Sequence, residues 1–112
     1  MKPKKAAQAR FNVYVVRLKK TILNSKRFRE ANPQHDPRKP CVYVGLTGRT
    51  PEERFAQHRA GYKAARYVTQ HGVTLIKRLY ERYNPMTYEE AAKMEVRLAE
   101  RLRRRGYAVW QN

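Results

Sequence analysis

Val42-Tyr43-Val44-Gly45-Leu46-Thr47-Gly48-Arg49-Thr50-Pro51-Glu52-Glu53-Arg54-Phe55-Ala56-Gln57-His58 is the stretch on which the reading of this chain turns. It opens with β-branched and aromatic residues in a row, which predicts a strand. Gly45 and Gly48 interrupt that strand and allow a tight turn or a close approach of backbone. Thr50 then begins a helix. Pro51 suits its first position, and Glu53 completes a Thr-x-x-Glu capping box. Arg54 and His58 are four residues apart, so they project from one helix face. An arginine and a histidine beside a strand tyrosine suit phosphate chemistry, although each alone is an ordinary surface residue.

The composition around this stretch narrows the partner. The chain has 112 residues, enough for one domain with a modest core. Lys and Arg number 26 against nine Asp and Glu, a net charge of +17, and 41% of residues are hydrophobic. A folded chain with that field favours a polyanion, and nucleic acid is the default partner. No apolar run is long enough for a spanning helix, so a membrane partner is not expected. Cys41 is the single cysteine, which leaves no disulfide or cysteine zinc site within the chain. The basic start lacks the apolar segment of a signal peptide, and a cytoplasmic location is the expectation.

In chain order, residues 1–10 read as a basic lead-in and residues 11–112 as one domain. Residues 11–18 predict a strand apolar on both faces, hence covered on both sides. Residues 19–40 hold seven Lys or Arg and three prolines, and read as a basic insertion with a short helix near residues 25–31. Lys19, Lys20, Lys26, Arg27, Arg29, Arg38 and Lys39 in this segment, with Arg49, are the candidate nucleic-acid contacts; a solvated loop is the plain alternative. A strand over 41–46, helices over 51–60 and 62–70, and a third strand over 73–83, where a helix is the alternative, follow. Thr87 and Glu90 form a second capping box, starting a helix to about residue 104 that Gly106 stops. Residues 107–110 form a short last strand.

On that last long helix Tyr88, Ala91, Met94, Leu98 and Leu102 share one stripe, and Glu95 falls inside it. A carboxylate on an apolar face needs a cation or strong donors. The choice is a buried Glu–Arg pair or a metal ligand.

Set in order, these residues resemble the GIY-YIG nuclease family. Val13-Tyr14-Val15 and Tyr43-Val44-Gly45 are similar to its two signature motifs, and Arg54-x-x-x-His58 to its first helix. Glu95 falls where the family carries its metal-binding glutamate, and Asn112 where it has an asparagine near the end of the catalytic module. The resemblance spans residues 11–112, and residues 19–40 are a longer connection than the family often uses. It implies an α/β module (α+β) with a three-stranded, mainly antiparallel central sheet flanked by helices. It also implies phosphodiester hydrolysis with Mg²⁺ or Mn²⁺ held by Glu95. Arg54 would clamp a phosphate oxygen, Tyr14 accept a proton, His58 orient Tyr14 or relay its proton, and Tyr43 orient water or phosphate. Arg54 and the metal would favour the Tyr14 phenolate. DNA, duplex or branched, is the expected substrate. The alternatives are an RNA-directed nuclease and a non-catalytic nucleic-acid-binding protein. Glu95 separates enzyme from binder, since binding alone gives no reason for an acid on an apolar face.

Overall fold

β1 (Asn12–Leu18) and β2 (Cys41–Thr47) pair antiparallel along their whole length, with Asn12 opposite Thr47 and Leu18 opposite Cys41. Both faces of this pair are buried, so Val13, Val15, Val42 and Val44 are as fully covered as Tyr14 and Tyr43. The computed structural model describes residues 9–62 and 65–111; residues 1–8 of the basic lead-in, Lys63, Ala64 and Asn112 lie outside the described residues.

Among the described residues the sheet has four strands, not three. β3 (Gly72–Leu75) pairs antiparallel with β1 on one side, and β4 (Ala108–Gln111) pairs parallel with β2 on the other, giving the order β3-β1-β2-β4. The fold class is therefore α+β with a mixed sheet. A parallel partner needs a long crossover, and the helix preceding β4 supplies it.

The expected third strand over residues 73–83 ends at Leu75. Two 3₁₀ turns, Lys77–Leu79 and Glu81–Tyr83, take the remainder. The reason lies on β1. The Asn84 side chain accepts from the Val13 N–H at 2.9 Å and donates to the Val13 carbonyl at 2.8 Å. That amide takes the place of a strand at the start of β1, and the chain rejoins it only at the Phe11–Met86 bridge.

Among the described residues four α-helices flank the sheet: α1 (Lys26–Glu30), α2 (Pro51–Arg59), α3 (Arg66–His71) and α4 (Tyr88–Arg104). Both capping boxes form, Thr50 with Glu53 and Thr87 with Glu90. The turns after α2 and α4 pass through Gly61 and Gly106 at φ +81° and +94°, where a side chain would be strained. α4 packs on β4, β2 and β1 and buries Ala91, Glu95, Leu98, Ala99 and Leu102. Tyr88, placed on the apolar stripe by the sequence, is 56% exposed and packs edge-on against Phe11 instead.

The segment between β1 and β2 is an ordered piece of the fold. Buried Phe28 anchors α1, and Ser25 caps it. The buried Asn32 side chain donates to the Phe28 carbonyl and accepts from the Val109 N–H at 2.7 Å, tying the segment to β4. No described helix is long and apolar enough to cross a membrane.

Candidate functional site

The register of the first two strands creates the site. Tyr14 lies opposite Gly45 and Val16 opposite Tyr43, so the two tyrosines emerge on one face. Their rings are 6.2 Å apart. Gly45 makes room for them: a Cβ there would lie 2.6 Å from the Tyr14 hydroxyl oxygen and 2.9 Å from the Tyr43 ring. Gly45→Ala should therefore push the Tyr14 hydroxyl aside and cost about 1–3 kcal/mol in a urea titration. An unchanged midpoint would show that the ring moves without cost.

α2 brings His58 to the same place. His58 is 1% exposed, and its Nε2 lies 2.8 Å from the Tyr14 hydroxyl oxygen. Its Nδ1 accepts from the backbone N–H of Ala65 at 3.1 Å. An accepting Nδ1 places the ring proton on Nε2, so His58 donates to Tyr14 and orients it. In that tautomer Nε2 has no lone pair for the Tyr14 proton, so the geometry suits the orienting role of His58. Ala65 is the N-cap residue of α3, which begins at Arg66.

Burial, aided by the Arg54 guanidinium, lowers the His58 pKa from 6.5 to about 4. The ring is neutral in the folded protein wherever the pH exceeds that value. In the unfolded chain it takes up a proton near its ordinary pKa. Stability is thus complete above pH 6.5 and falls as pH drops toward 4, by up to about 3 kcal/mol. His58→Gln, which has a donor but no titration, should flatten that part of the stability profile. Identical slopes for the two proteins between those pH values would contradict the assignment.

Tyr14 departs from the expectation of a phenolate. Burial pushes its pKa well above the ordinary phenol value, and the Tyr43 hydroxyl raises it further. Arg54 opposes both by charge and hydrogen bonding, and loses. In the folded protein at neutral pH, Tyr14 keeps its proton.

Arg54 links this buried cluster to solvent. Its Nη1 donates to Gln57 Oε1 at 3.0 Å and to the Tyr62 carbonyl at 3.3 Å. It also lines an open cavity of about 580 Å³ with Arg10, Thr47, Gly48, Arg49, Gln57 and Tyr62. Three arginines and no acid make this a cradle for an anion. Arg10, Gln57 and Tyr62 were not singled out from the sequence. The i,i+3 spacing of Arg54 and Gln57 was a usable signal, whereas the Ala65 amide leaves no trace in side-chain chemistry.

Glu95 is 9% exposed, and burial alone raises its carboxyl pKa. Among the described residues no arginine or lysine pairs with it and no donor reaches it. The buried Glu–Arg pair is therefore not what forms. Among the described residues no hydrogen bond or ion pair joins Glu95 to the Tyr14–His58 cluster, although its helix packs on the strands that carry Tyr14 and Tyr43. No group of three His, Cys, Asp or Glu gathers among the described residues, so Glu95 stands as a single carboxylate.

The eight candidate nucleic-acid contacts are all exposed, but several already have work within the fold. Lys20 donates to the carbonyls of Pro37 and Lys39, and Arg29 to that of Leu23. Arg38 pairs with Asp36 at 3.0 Å, and Lys26 stands 3.9 Å from Glu30. Arg27 and Lys39 lie over the rings of Trp110 and Tyr107. Lys19 points to solvent, and Arg49 lines the arginine cavity. Asn112 lies outside the described residues. No protein-family model, no curated protein and no solved structure matches this chain.

Proposed function

We propose that the chain is a metal-dependent endonuclease of the GIY-YIG type that hydrolyses phosphodiester bonds in DNA. The observation that carries this reading is the buried Tyr14–His58 hydrogen bond, with Arg54 acting on both groups and also lining the arginine cavity. A scissile phosphate held by Arg10, Arg49 and Arg54 would sit above the two tyrosines. Arg54 serves twice: it neutralises a phosphoryl oxygen and favours the Tyr14 phenolate. Tyr14 acts from the minor fraction that has given up its proton to solvent: that phenolate takes the proton of the attacking water, and the His58 Nε2–H steadies the phenolate charge until the transfer. Tyr43 orients the water or the phosphate.

Glu95 fits a hard divalent cation, because it is a buried carboxylate with no cation of its own. When bound there, Mg²⁺ or Mn²⁺ would supply charge neutralisation on the phosphoryl oxygens and the leaving oxygen. Incubation with supercoiled, linear, branched and single-stranded DNA, with and without Mg²⁺ or Mn²⁺, tests the reading. Metal-dependent cleavage of any of them is the expected result. Absence of cleavage on all four, with binding retained, refutes it. An RNA panel run in parallel separates the RNA-directed alternative.

A second reading, a non-catalytic nucleic-acid-binding protein, is favoured by one fact. Tyr14 is 1% exposed and holds its proton, which suits a structural tyrosine as well as a resting base.

A further inference from the structure

A second cavity, of about 560 Å³, lies apart from the arginine cradle, and no role in hydrolysis accounts for it. Its walls come from three segments that the sequence keeps distant. Ser25 and Arg27 belong to the segment between β1 and β2, Arg66, Tyr67 and Gln70 to α3, and Trp110 to β4. The aromatic part is rigid. Tyr67 meets Trp110 edge-on at 5.1 Å, Phe28 backs both rings, and the Tyr67 hydroxyl is hydrogen-bonded to Ser25 at 2.9 Å. The Arg27 guanidinium sits 5.6 Å from the indole centre, and Arg66 is exposed at the rim.

This cavity touches the hydrolytic cluster at two points. Trp110 is the register partner of Tyr43 across β2 and β4. Ala65, whose N–H holds His58 Nδ1, also lines the cavity. A volume of this size holds a small ligand. Partly buried aromatic rings bracketed by arginines, with an amide and a hydroxyl for polar edges, recognise a base and its phosphate. A paired base stays in its stack, so only an unpaired one reaches such a wall.

We propose that this cavity is a subsite for one unpaired nucleotide, whose base lies against Trp110 and Tyr67 and whose phosphate meets Arg27 and Arg66. The inference rests on the nucleic-acid reading above and deepens it: the substrate is single-stranded or branched rather than uniformly duplex.

Trp110 is the chain's single tryptophan, so its emission reports on this cavity alone. The test is a titration with a thymidylate strand of about twelve nucleotides. A hairpin duplex with the same number of phosphates is the comparison, and binding of each is followed independently by anisotropy of an end label. Quenching by the strand, with little change on binding the duplex, is the expected result. Arg27→Gln with Arg66→Gln alters two exposed side chains and leaves the core intact. It should weaken strand binding by about tenfold and flatten its salt slope by about 1.4, more than for the duplex. An unquenched strand that anisotropy shows to be bound overturns the proposal, as does equal quenching by the duplex or equal loss for both. A strand that fails to bind overturns it too. Mg²⁺-dependent cleavage of duplex by that same preparation would leave the nuclease reading standing. Quenching without cleavage on any substrate would keep the subsite and remove the nuclease.

Discussion

Glu95→Gln should abolish the proposed metal-dependent cleavage, leave DNA affinity nearly unchanged, and make the metal-free protein more stable at neutral pH. The three effects share one origin. Glu95 is a buried carboxylate with no partner among the described residues, and burial raises its pKa. Its neutral form is therefore the one the fold prefers. Below the ordinary glutamate pKa the folded state bears no cost from it. As pH rises through the raised folded value, the carboxylate charges inside the protein and stability declines. Glutamine has nearly the same shape and no charge, so its advantage over glutamate grows with pH and then levels off. A bound cation reverses the comparison, because it stabilises only the protein that binds it, by roughly 2.7 kcal/mol at a hundredfold excess over Kd. Mg²⁺ or Mn²⁺ should raise the melting temperature of wild type and not of the variant. Affinity for DNA hardly changes, since the substitution removes no positive charge. Undiminished cleavage by Glu95→Gln would end the metal assignment. Equal metal-induced shifts in the two proteins would place the ion elsewhere.

What could be read from the chain follows from how local each signal is. Both capping boxes and the stops at Gly61 and Gly106 are set by residues within one turn of each other, and all four form. The position of Glu95 on the buried face followed from helical periodicity alone. Residues 76–83 misled because their β-forming side chains predict a strand, while the side-chain amide of Asn84, just after them, bonds to Val13, 71 residues away, and occupies the edge they would have joined. The fourth strand was legible as a strand, but its parallel pairing with β2 depends on a crossover no local pattern encodes. The Tyr14–His58 contact spans 44 residues and was suggested by the order of motifs rather than by spacing. The aromatic cavity was invisible, since Tyr67 and Trp110 meet only after β4 docks. Charge was the least faithful guide to place. Lys20, Arg29 and Arg38, expected as DNA contacts, are exposed and also bond within their own segment.

Tyr14→Phe should remain folded and lose cleavage by about 10²–10⁴-fold at saturating DNA, the span of a positioned proton acceptor. Only an oxygen is deleted from a ring packed between Gly45, Tyr43 and His58. The His58 Nε2–H then points at carbon, and a buried donor without a partner costs about 1–3 kcal/mol. Some loss of stability is therefore expected and must be separated from the loss of rate, by assaying well below the variant's melting temperature. The pH profile makes that separation sharper. Because Tyr14 keeps its proton in the resting protein, only a small fraction is phenolate near neutrality. Wild-type turnover should climb with pH through the neutral range without levelling off, while the residual rate of Tyr14→Phe should be nearly flat. His58 contributes no limb there, because its pKa of about 4 keeps it neutral throughout. A folded variant with the wild-type rate and the wild-type profile would remove Tyr14 as the proton acceptor. The hydrogen bond to His58 would then be a piece of core architecture, and the binding reading would be the one to keep.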